Sequence, residues 1–127
     1  MMRYLIYTHV ALWVLKGEPI SDKAKEILDD VTAEVFVSIA SAWEIAIKIS
    51  TGKLKYSGSV RAFLNDIKLN EFELLGIEES HIALVEGLEY HHRDPFDRLL
   101  IASAIAEDMT FISADENVTK YDVKWLW

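Results

Sequence analysis

One unbroken stretch of the chain places a helix directly before a strand: residues 94–115 read DPFDRLLIASAIAEDMTFISAD. Asp94 and Pro95 are typical of a helix start, because aspartate caps free backbone amides and proline fits the first helical position. The apolar residues that follow predict a helix to about Asp108 and then a strand over residues 110–113. A helix that leads at once into an apolar strand indicates an α/β fold.

The same alternation extends through the rest of the chain. Residues 34–37 read EVFV, and a strand that is apolar at successive positions is typical of a parallel strand covered on both faces. No internal repeat or linker-like stretch divides the sequence, so we expect a single domain over residues 1–127 with a mostly parallel sheet. Predicted strands cover residues 4–6, 34–37, 72–75, 110–113 and 123–126, and predicted helices begin near Thr8, Ser21, Ser38 or Ser41, Val60, Glu78 and Asp94. Of these residues, Thr8 and Ser21 are expected to cap their helices, as Asp94 does.

Composition excludes several classes of protein. The 127 residues are 51% hydrophobic and 27% charged, with two prolines, which excludes a disordered or collagen-like chain. The 13 basic and 21 acidic residues give a net charge of -8, which disfavours a protein that wraps DNA or coats an anionic membrane. No apolar run approaches the roughly 20 residues of a membrane span, and no cleavage site follows the apolar start, so we expect a cytoplasmic protein.

Cysteine is absent from the sequence. Disulfides, thiolate zinc sites and cysteine nucleophiles are therefore excluded, and any metal must be held by oxygen or imidazole. The sequence also lacks the GxxxxGKS/T, GxGxxG and GxSxG patterns, so nucleotide-cradling and serine-hydrolase sites lack their defining residues.

Acidic residues are concentrated where strands end and helices begin. In a parallel sheet these positions meet at one edge, which is where α/β proteins place their sites. Carboxylates are the ligands that Mg²⁺ and Mn²⁺ prefer, and they also orient water against a phosphodiester. The residues at these positions are Tyr7, Ser38, Glu44, Asp94, Asp97, Ser113 and Asp115.

Each acid also has a purely structural explanation. Asp94 and Asp97 suit the first turn of a helix, where an N-cap and a negative charge are favourable, and Asp115 can cap a short turn. Glu44 stands four residues before Lys48, in the favourable order for a helical ion pair. A role in binding a metal and a purely structural role both stay open for these acids at this point.

Histidine and tryptophan give weaker signals. His91 and His92 are adjacent and lack a third ligand at zinc-like spacing, so we expect an exposed surface pair rather than a metal site. Trp13 and Trp43 lie in apolar helices and are expected to pack in the core.

Four short blocks follow one another in an informative order: THVALW at residues 8–13, SAWEIAIK at 41–48, HRDPFDRLLIA at 92–102 and ISAD at 112–115. In this order they resemble the PIN domain family, and in particular its VapC-like toxin branch. The resemblance implies a three-layer α/β/α sandwich around a mostly parallel sheet and a cytoplasmic endoribonuclease that depends on Mg²⁺ or Mn²⁺. It also implies an RNA substrate, an antitoxin protein as partner, and frequent homodimers.

The resemblance also implies roles for individual residues. Glu44, Asp97 and Asp115 match the catalytic acids that hold the metal, and Asp94 matches an additional catalytic acid of this branch. Two hydroxyl residues, Thr8 and Ser113, match supporting positions near the metal.

Tyr7 departs from the family pattern. The first family acid, which ends the first strand, falls on this residue, so that the chain reads Tyr-Thr-His where the family reads Asp-Thr-His. A neutral phenol with an ordinary pKa of about 10 is a poor replacement for a carboxylate that faces a divalent cation. Weak activity, complete loss of activity and an inactivating change in a toxic gene are all open, and we expect strongly reduced cleavage.

Two functions therefore remain in competition. One is an impaired metal-dependent ribonuclease toxin, in which cations such as Lys48, Arg93 or Arg98 contact the phosphates of the RNA locally. The other is a catalytically inactive PIN domain that binds an antitoxin or RNA without cutting.

Overall fold

The sheet is built from five parallel strands in residues 2–127, the part of the chain that the computed structural model describes. The strands lie in the order β3-β2-β1-β4-β5, so that β1 occupies the centre. Their bounds are β1 Arg3–Ile6, β2 Glu34–Ser38, β3 Glu73–Leu75, β4 Thr110–Ile112 and β5 Trp125–Leu126. The prediction of a parallel sheet is confirmed, although the third, fourth and fifth strands are shorter than the sequence pattern indicated.

Helices cover both faces of this sheet. The six helices of the described residues are α1 Thr8–Lys16, α2 Asp22–Asp29, α3 Ile39–Ser50, α4 Ser59–Leu69, α5 Glu79–Gly87 and α6 Pro95–Ala106. A 3₁₀ turn, Glu116–Lys120, follows β4. None of the helices in residues 2–127 is long and apolar enough to cross a membrane.

The core explains why the middle of each central strand is apolar at successive positions. Side chains of β1 alternate between two clusters: Tyr4 and Ile6 pack on the face covered by α1 to α4, whereas Leu5 packs on the face covered by α6. Val35 and Phe36 alternate in the same way along β2. Because successive side chains of a strand point to opposite faces, a strand buried on both sides needs apolar residues throughout. The expected α/β/α sandwich is confirmed.

Helix caps follow the sequence signals with one exception. Ser21, Ser38 and Asp94 each accept a hydrogen bond from a backbone amide at the start of α2, α3 and α6. The expectation that Thr8 caps α1 is wrong, because Tyr7 is the N-cap residue and Thr8 is the first residue of the helix. The Thr8 hydroxyl is therefore free to make tertiary contacts.

The topology brings three strand ends together. The backbone amide of Tyr7, which follows β1, donates to the carbonyl of Ile112 on β4 at 2.9 Å. On the other side of β1, Ser38 ends β2 and begins α3. The carboxyl ends of β2, β1 and β4 thus form one edge, on which the side chains of the following helices converge.

Arg98 of α6 holds α5 in place. This side chain is only 4% exposed, and its guanidinium donates hydrogen bonds to the carbonyls of Glu89, Leu88 and Val85 at 2.8, 3.0 and 3.3 Å. The guanidinium carbon also lies 3.8 Å from the centre of the Tyr90 ring. Carbonyls at a helix C-terminus lack helical partners and carry partial negative charge, so a buried cation is well matched there. The expectation that Arg98 contacts a phosphate is wrong.

Replacement of Arg98 by lysine tests this role. The planar guanidinium of arginine presents several N–H donors that reach all three carbonyls, whereas the single ammonium of lysine cannot. We therefore expect Arg98→Lys to lower the free energy of unfolding by about 2 kcal/mol. Urea unfolding followed by circular dichroism measures the change, with the exposed Arg61→Lys on α4 as the matched control. Equal midpoints for the two variants contradict a structural role for Arg98.

Candidate active site

Glu44 is the most deeply buried acid at the sheet edge. It is 2% exposed, on the face of α3 that turns towards α1. Its Oε1 accepts a hydrogen bond from the Thr8 hydroxyl at 3.0 Å, and its Oε2 accepts from the Lys48 ammonium at 3.0 Å. Because the Thr8 proton is given to Glu44, the Ser41 hydroxyl, 2.8 Å away, must donate to Thr8. Both oxygens of this buried carboxylate are therefore satisfied within the protein.

Tyr7 faces the acids of α3 and α6. Burial raises the pKa of its phenol far above the usual value, and the carboxylates of Asp97, Glu44 and Asp94 raise it further. The phenol is consequently neutral at any physiological pH. It contributes no charge at the position where a carboxylate would add one.

Asp97, in the first turn of α6, carries an unsatisfied atom. Its Oδ1 is buried and has no hydrogen-bond partner in residues 2–127. Burial raises the pKa of Asp97 to about 6, with Asp94 and Glu44 acting in the same direction and the neighbouring Tyr7 and His92 acting against it. A buried polar atom without a partner costs free energy, so the ionised carboxylate of Asp97 destabilises the folded state, an effect called electrostatic strain below.

Asp115 is held by a different set of groups. Its Oδ2 lies 2.6 Å from His92 Nε2, and its Oδ1 accepts a hydrogen bond from the backbone amide of Asn117 at 2.9 Å. Burial acts to raise the pKa of Asp115, but the hydrogen bonds from His92 and Asn117 outweigh it and lower the pKa. The amide of Asp115 donates to the Ser113 hydroxyl at 3.1 Å, which fixes the turn after β4.

His92 is part of a polar cluster rather than the surface. Its side chain is 10% exposed, and its Nδ1 lies 3.0 Å from the Tyr121 hydroxyl, which also accepts from the His91 amide at 3.1 Å. The expectation of an exposed histidine pair is wrong for His92, although His91 is exposed. The His92 imidazole thus joins the loop before α6 to the turn that carries Asp115.

Cations and aromatic residues lie around these acids. Lys48 and the exposed Arg93 line a depression of about 450 Å³, together with Glu44, Asp94 and Phe96. Trp43 was expected in the core, but it is 59% exposed and its ring meets Phe96 edge-on at 5.2 Å. The site is therefore bordered by an exposed aromatic pair.

Comparison with known protein families gives a match over nearly the whole chain. The family profile described as PIN domain matches residues 4–124. The chain belongs to the PIN domain family. Members of this family are generally nucleases, and family membership therefore supports a nuclease-type enzyme.

Several solved structures with the same fold come from toxin–antitoxin complexes. VapBC2 from Rickettsia felis, solved with a DNA fragment from its promoter, matches with a TM-score of 0.74 at 17% identity, covering 98% of each chain. VapBC-1 from nontypeable Haemophilus influenzae matches with a TM-score of 0.71 at 17% identity, over 98% of this chain and 97% of that chain. FitAcB from Neisseria gonorrhoeae matches with a TM-score of 0.63 at 18% identity, over 98% and 96%. A search of curated proteins found no match.

A divalent ion does not fit the side chains of this PIN domain as they are arranged. Within residues 2–127, no group of three acidic or histidine side chains is placed to hold a metal. The oxygens of Glu44 and Asp115 are already occupied by hydrogen-bond partners, and Tyr7 supplies a neutral hydroxyl. Among the described residues, only Asp97 offers a buried, unpaired side-chain oxygen of the kind that a cation would satisfy.

Sequence reasoning missed three residues of the site. Ser41 stands three residues before Glu44, so both lie on one helix face, and this spacing could have shown their shared environment. His92 and Tyr121 are far apart in sequence, and no local pattern connects them. Their contact depends on how the loop before α6 packs on the 3₁₀ turn.

Removal of the Asp97 charge tests the electrostatic strain. Because the folded-state pKa of about 6 lies above the ordinary 3.8, the ionised carboxylate destabilises the native state as the pH rises through this range. We expect Asp97→Asn to increase the free energy of unfolding by about 1 kcal/mol at pH near 7.5, after allowance for partial exposure. The gain should shrink towards pH 4.

Urea unfolding at the two pH values measures this difference. Asp122→Asn, which removes an exposed acid, serves as the control and should change stability little at either pH. A loss of stability for Asp97→Asn at the higher pH contradicts the assignment of strain.

Proposed function

We propose that this chain is a VapC-like toxin of a toxin–antitoxin pair, and that its ribonuclease activity is strongly reduced by Tyr7. Membership of the PIN family and a fold shared with VapBC and FitAB toxin–antitoxin structures support the class. An RNA substrate, an antitoxin protein as partner and a cytoplasmic location are parts of this proposal. The catalytic acids of the proposal remain Glu44, Asp94, Asp97 and Asp115, and the metal of a repaired site is Mg²⁺ or Mn²⁺.

One observation carries the proposed impairment. The neutral phenol of Tyr7 occupies the position between α3 and α6 that faces Asp97, Glu44 and Asp94. Lys48 neutralises Glu44 beside this position, and within residues 2–127 the buried Oδ1 of Asp97 has no hydrogen-bond partner. Loss of a catalytic metal ligand removes several kcal/mol of transition-state stabilisation.

A second function uses the same fold without cleavage. An inactive PIN domain that binds an antitoxin or RNA is favoured by the internal hydrogen bonds of Glu44 and Asp115, which fill both carboxylates without any added ion. Restoration of the missing acid distinguishes the two functions.

We expect Tyr7→Asp to restore metal binding and cleavage. An aspartate at this position adds the missing charge and removes the phenol from the space beside Asp97, and we expect cleavage of single-stranded RNA to rise on the order of 100-fold. Cleavage is followed on gels in Mg²⁺ and in Mn²⁺, and Mn²⁺ binding by isothermal titration calorimetry.

Two variants control this experiment. Tyr7→Asn opens the same space without adding charge and should stay inactive, whereas Tyr7→Asp with Asp97→Asn should lose the restored activity. If the unmodified chain cuts as fast as Tyr7→Asp, the proposed impairment is wrong. If Tyr7→Asp binds Mn²⁺ but cuts no RNA, the binding-module function replaces the nuclease function.

The exposed face of α3 supports the predicted homodimer. Ile39, Trp43 and Ile47 follow one another at helical spacing and are 38%, 59% and 40% exposed. A contiguous apolar stripe is unusual on the surface of a monomer, and a twofold pair of α3 helices buries the same stripe on both subunits.

Disruption of this stripe tests the homodimer. We expect the chain to sediment as a dimer and Trp43→Glu to sediment as a monomer in analytical ultracentrifugation, because the glutamate would be buried without a partner. Ile82→Glu on α5, where Ile82 is also 59% exposed, is the matched control and should remain dimeric. A monomeric unmodified chain contradicts this part of the proposal.

A further inference from the structure

A second depression, between α1 and the end of α3, gathers lysine side chains. It has a volume of about 260 Å³ and is lined by Lys16, Lys48 and Lys53, with Trp13 of α1 among its other residues. We call it the lysine groove, after these three lysines. None of the acids that the family resemblance singles out lines it.

Backbone geometry places the lysines. Gly52 has a φ of +76°, and the chain turns back so that the amides of Lys53 and Leu54 donate to the Lys48 carbonyl at 2.9 and 3.1 Å. The turn brings Lys53 alongside Lys48. Lys16 lies in the last turn of α1, which ends at Gly17 with a φ of +72°. The C-terminal ends of α1 and α3 thus fix the backbone positions of all three lysines.

The charge of the groove is opposite to that of the protein. The chain carries a net charge of -8, but three lysines line the groove against one carboxylate, that of Glu18. Among the ion pairs of residues 2–127, Lys48 is joined to Glu44, whereas Lys16 and Lys53 have no carboxylate within 4.0 Å. Cations in the last turn of a helix also offset the helix dipole, which accounts for Lys16 and Lys48 but not for Lys53, which lies beyond α3.

The groove is continuous with the candidate active site. Lys48 and Lys53 line both the groove and the depression that contains Arg93 and Asp94. Thr8, whose hydroxyl donates to Glu44, lines the groove as well. A chain of cations thus leads from Lys16 to Arg93 past the buried acid.

Aromatic rings accompany these cations. Trp13 is half-buried, with its ring centre 6.3 Å from that of His9 and 5.8 Å from that of Trp127. Phosphate-binding cations beside aromatic surfaces are the combination that proteins use for single-stranded nucleic acid, because every base has a face that can stack. An acidic peptide would use the lysines but would leave the aromatic surface without a role.

We infer that the lysine groove binds backbone phosphates of single-stranded RNA on one side of the position where the strand would be cut. This inference rests on the proposed function, since it assigns part of the same RNA to a surface beyond the acids. Lys16 and Lys53 are binding residues in it, and they take no part in bond cleavage.

Binding without cleavage tests the inference. Fluorescence anisotropy of a labelled oligouridine is measured in EDTA, so that neither a divalent ion nor catalysis is needed. We expect Lys16→Gln with Lys53→Gln to weaken binding about 10-fold at low salt and to reduce the slope of log affinity against log salt by about 1.4, since each phosphate contact on a single strand contributes roughly 0.7. Lys23→Gln with Lys25→Gln, two exposed lysines of α2, is the matched control and should leave both quantities nearly unchanged.

The outcomes separate this inference from the proposed function. Lysine-dependent binding of oligouridine supports the groove even if Tyr7→Asp cuts no RNA. Equal affinities and salt slopes for the two double variants overturn the groove, whatever Tyr7→Asp does. Preferential, lysine-dependent binding of labelled polyglutamate over oligouridine also overturns it, and assigns the surface to an acidic protein segment instead.

Discussion

Burial of one carboxylate, that of Glu44, determines how the rest of the site is arranged. An ionised group in this position must be neutralised and hydrogen-bonded, because transfer of an unpaired charge out of water is far more costly than any other change in the site. The hydroxyls of Thr8 and Ser41 and the ammonium of Lys48 meet that requirement from α1 and α3. Lys48 thus neutralises Glu44, whereas Asp97 keeps a buried oxygen without a partner among residues 2–127 and a pKa raised by burial.

The fold was predictable because its signals are local. Apolar runs such as EVFV identified strands buried on both faces, and Ser21, Ser38 and Asp94 marked helix starts through caps that the structure contains. Strand order is a different matter. Periodicity shows that strands exist, but the central place of β1 depends on pairings with both β2 and β4, and no local pattern encodes those pairings.

The site was predictable only in part. The positions of Glu44, Asp94 and Asp97 near one another follow from strand ends that meet at one edge of the sheet. The contacts that set their chemistry are tertiary: His92 holds Asp115, and Lys48 fills an oxygen of Glu44. Arg98 and Trp43 show the same limit, since a charged residue on α6 is buried and an apolar one on α3 is exposed.

The central position of β1 also affects when the site can form. Tyr4 pairs with Thr110 and Ile6 with Ile112, so the middle of the sheet closes a loop that spans most of the described chain. Closing such a loop is entropically costly, and folds dominated by distant pairings form slowly. During synthesis β1 is made early and stays without one of its two neighbours until β4 has emerged. Glu44 of α3 can approach Tyr7 once β2 has paired with β1, but the acids at the start of α6 join them only late in synthesis, so a nascent chain carries no complete site.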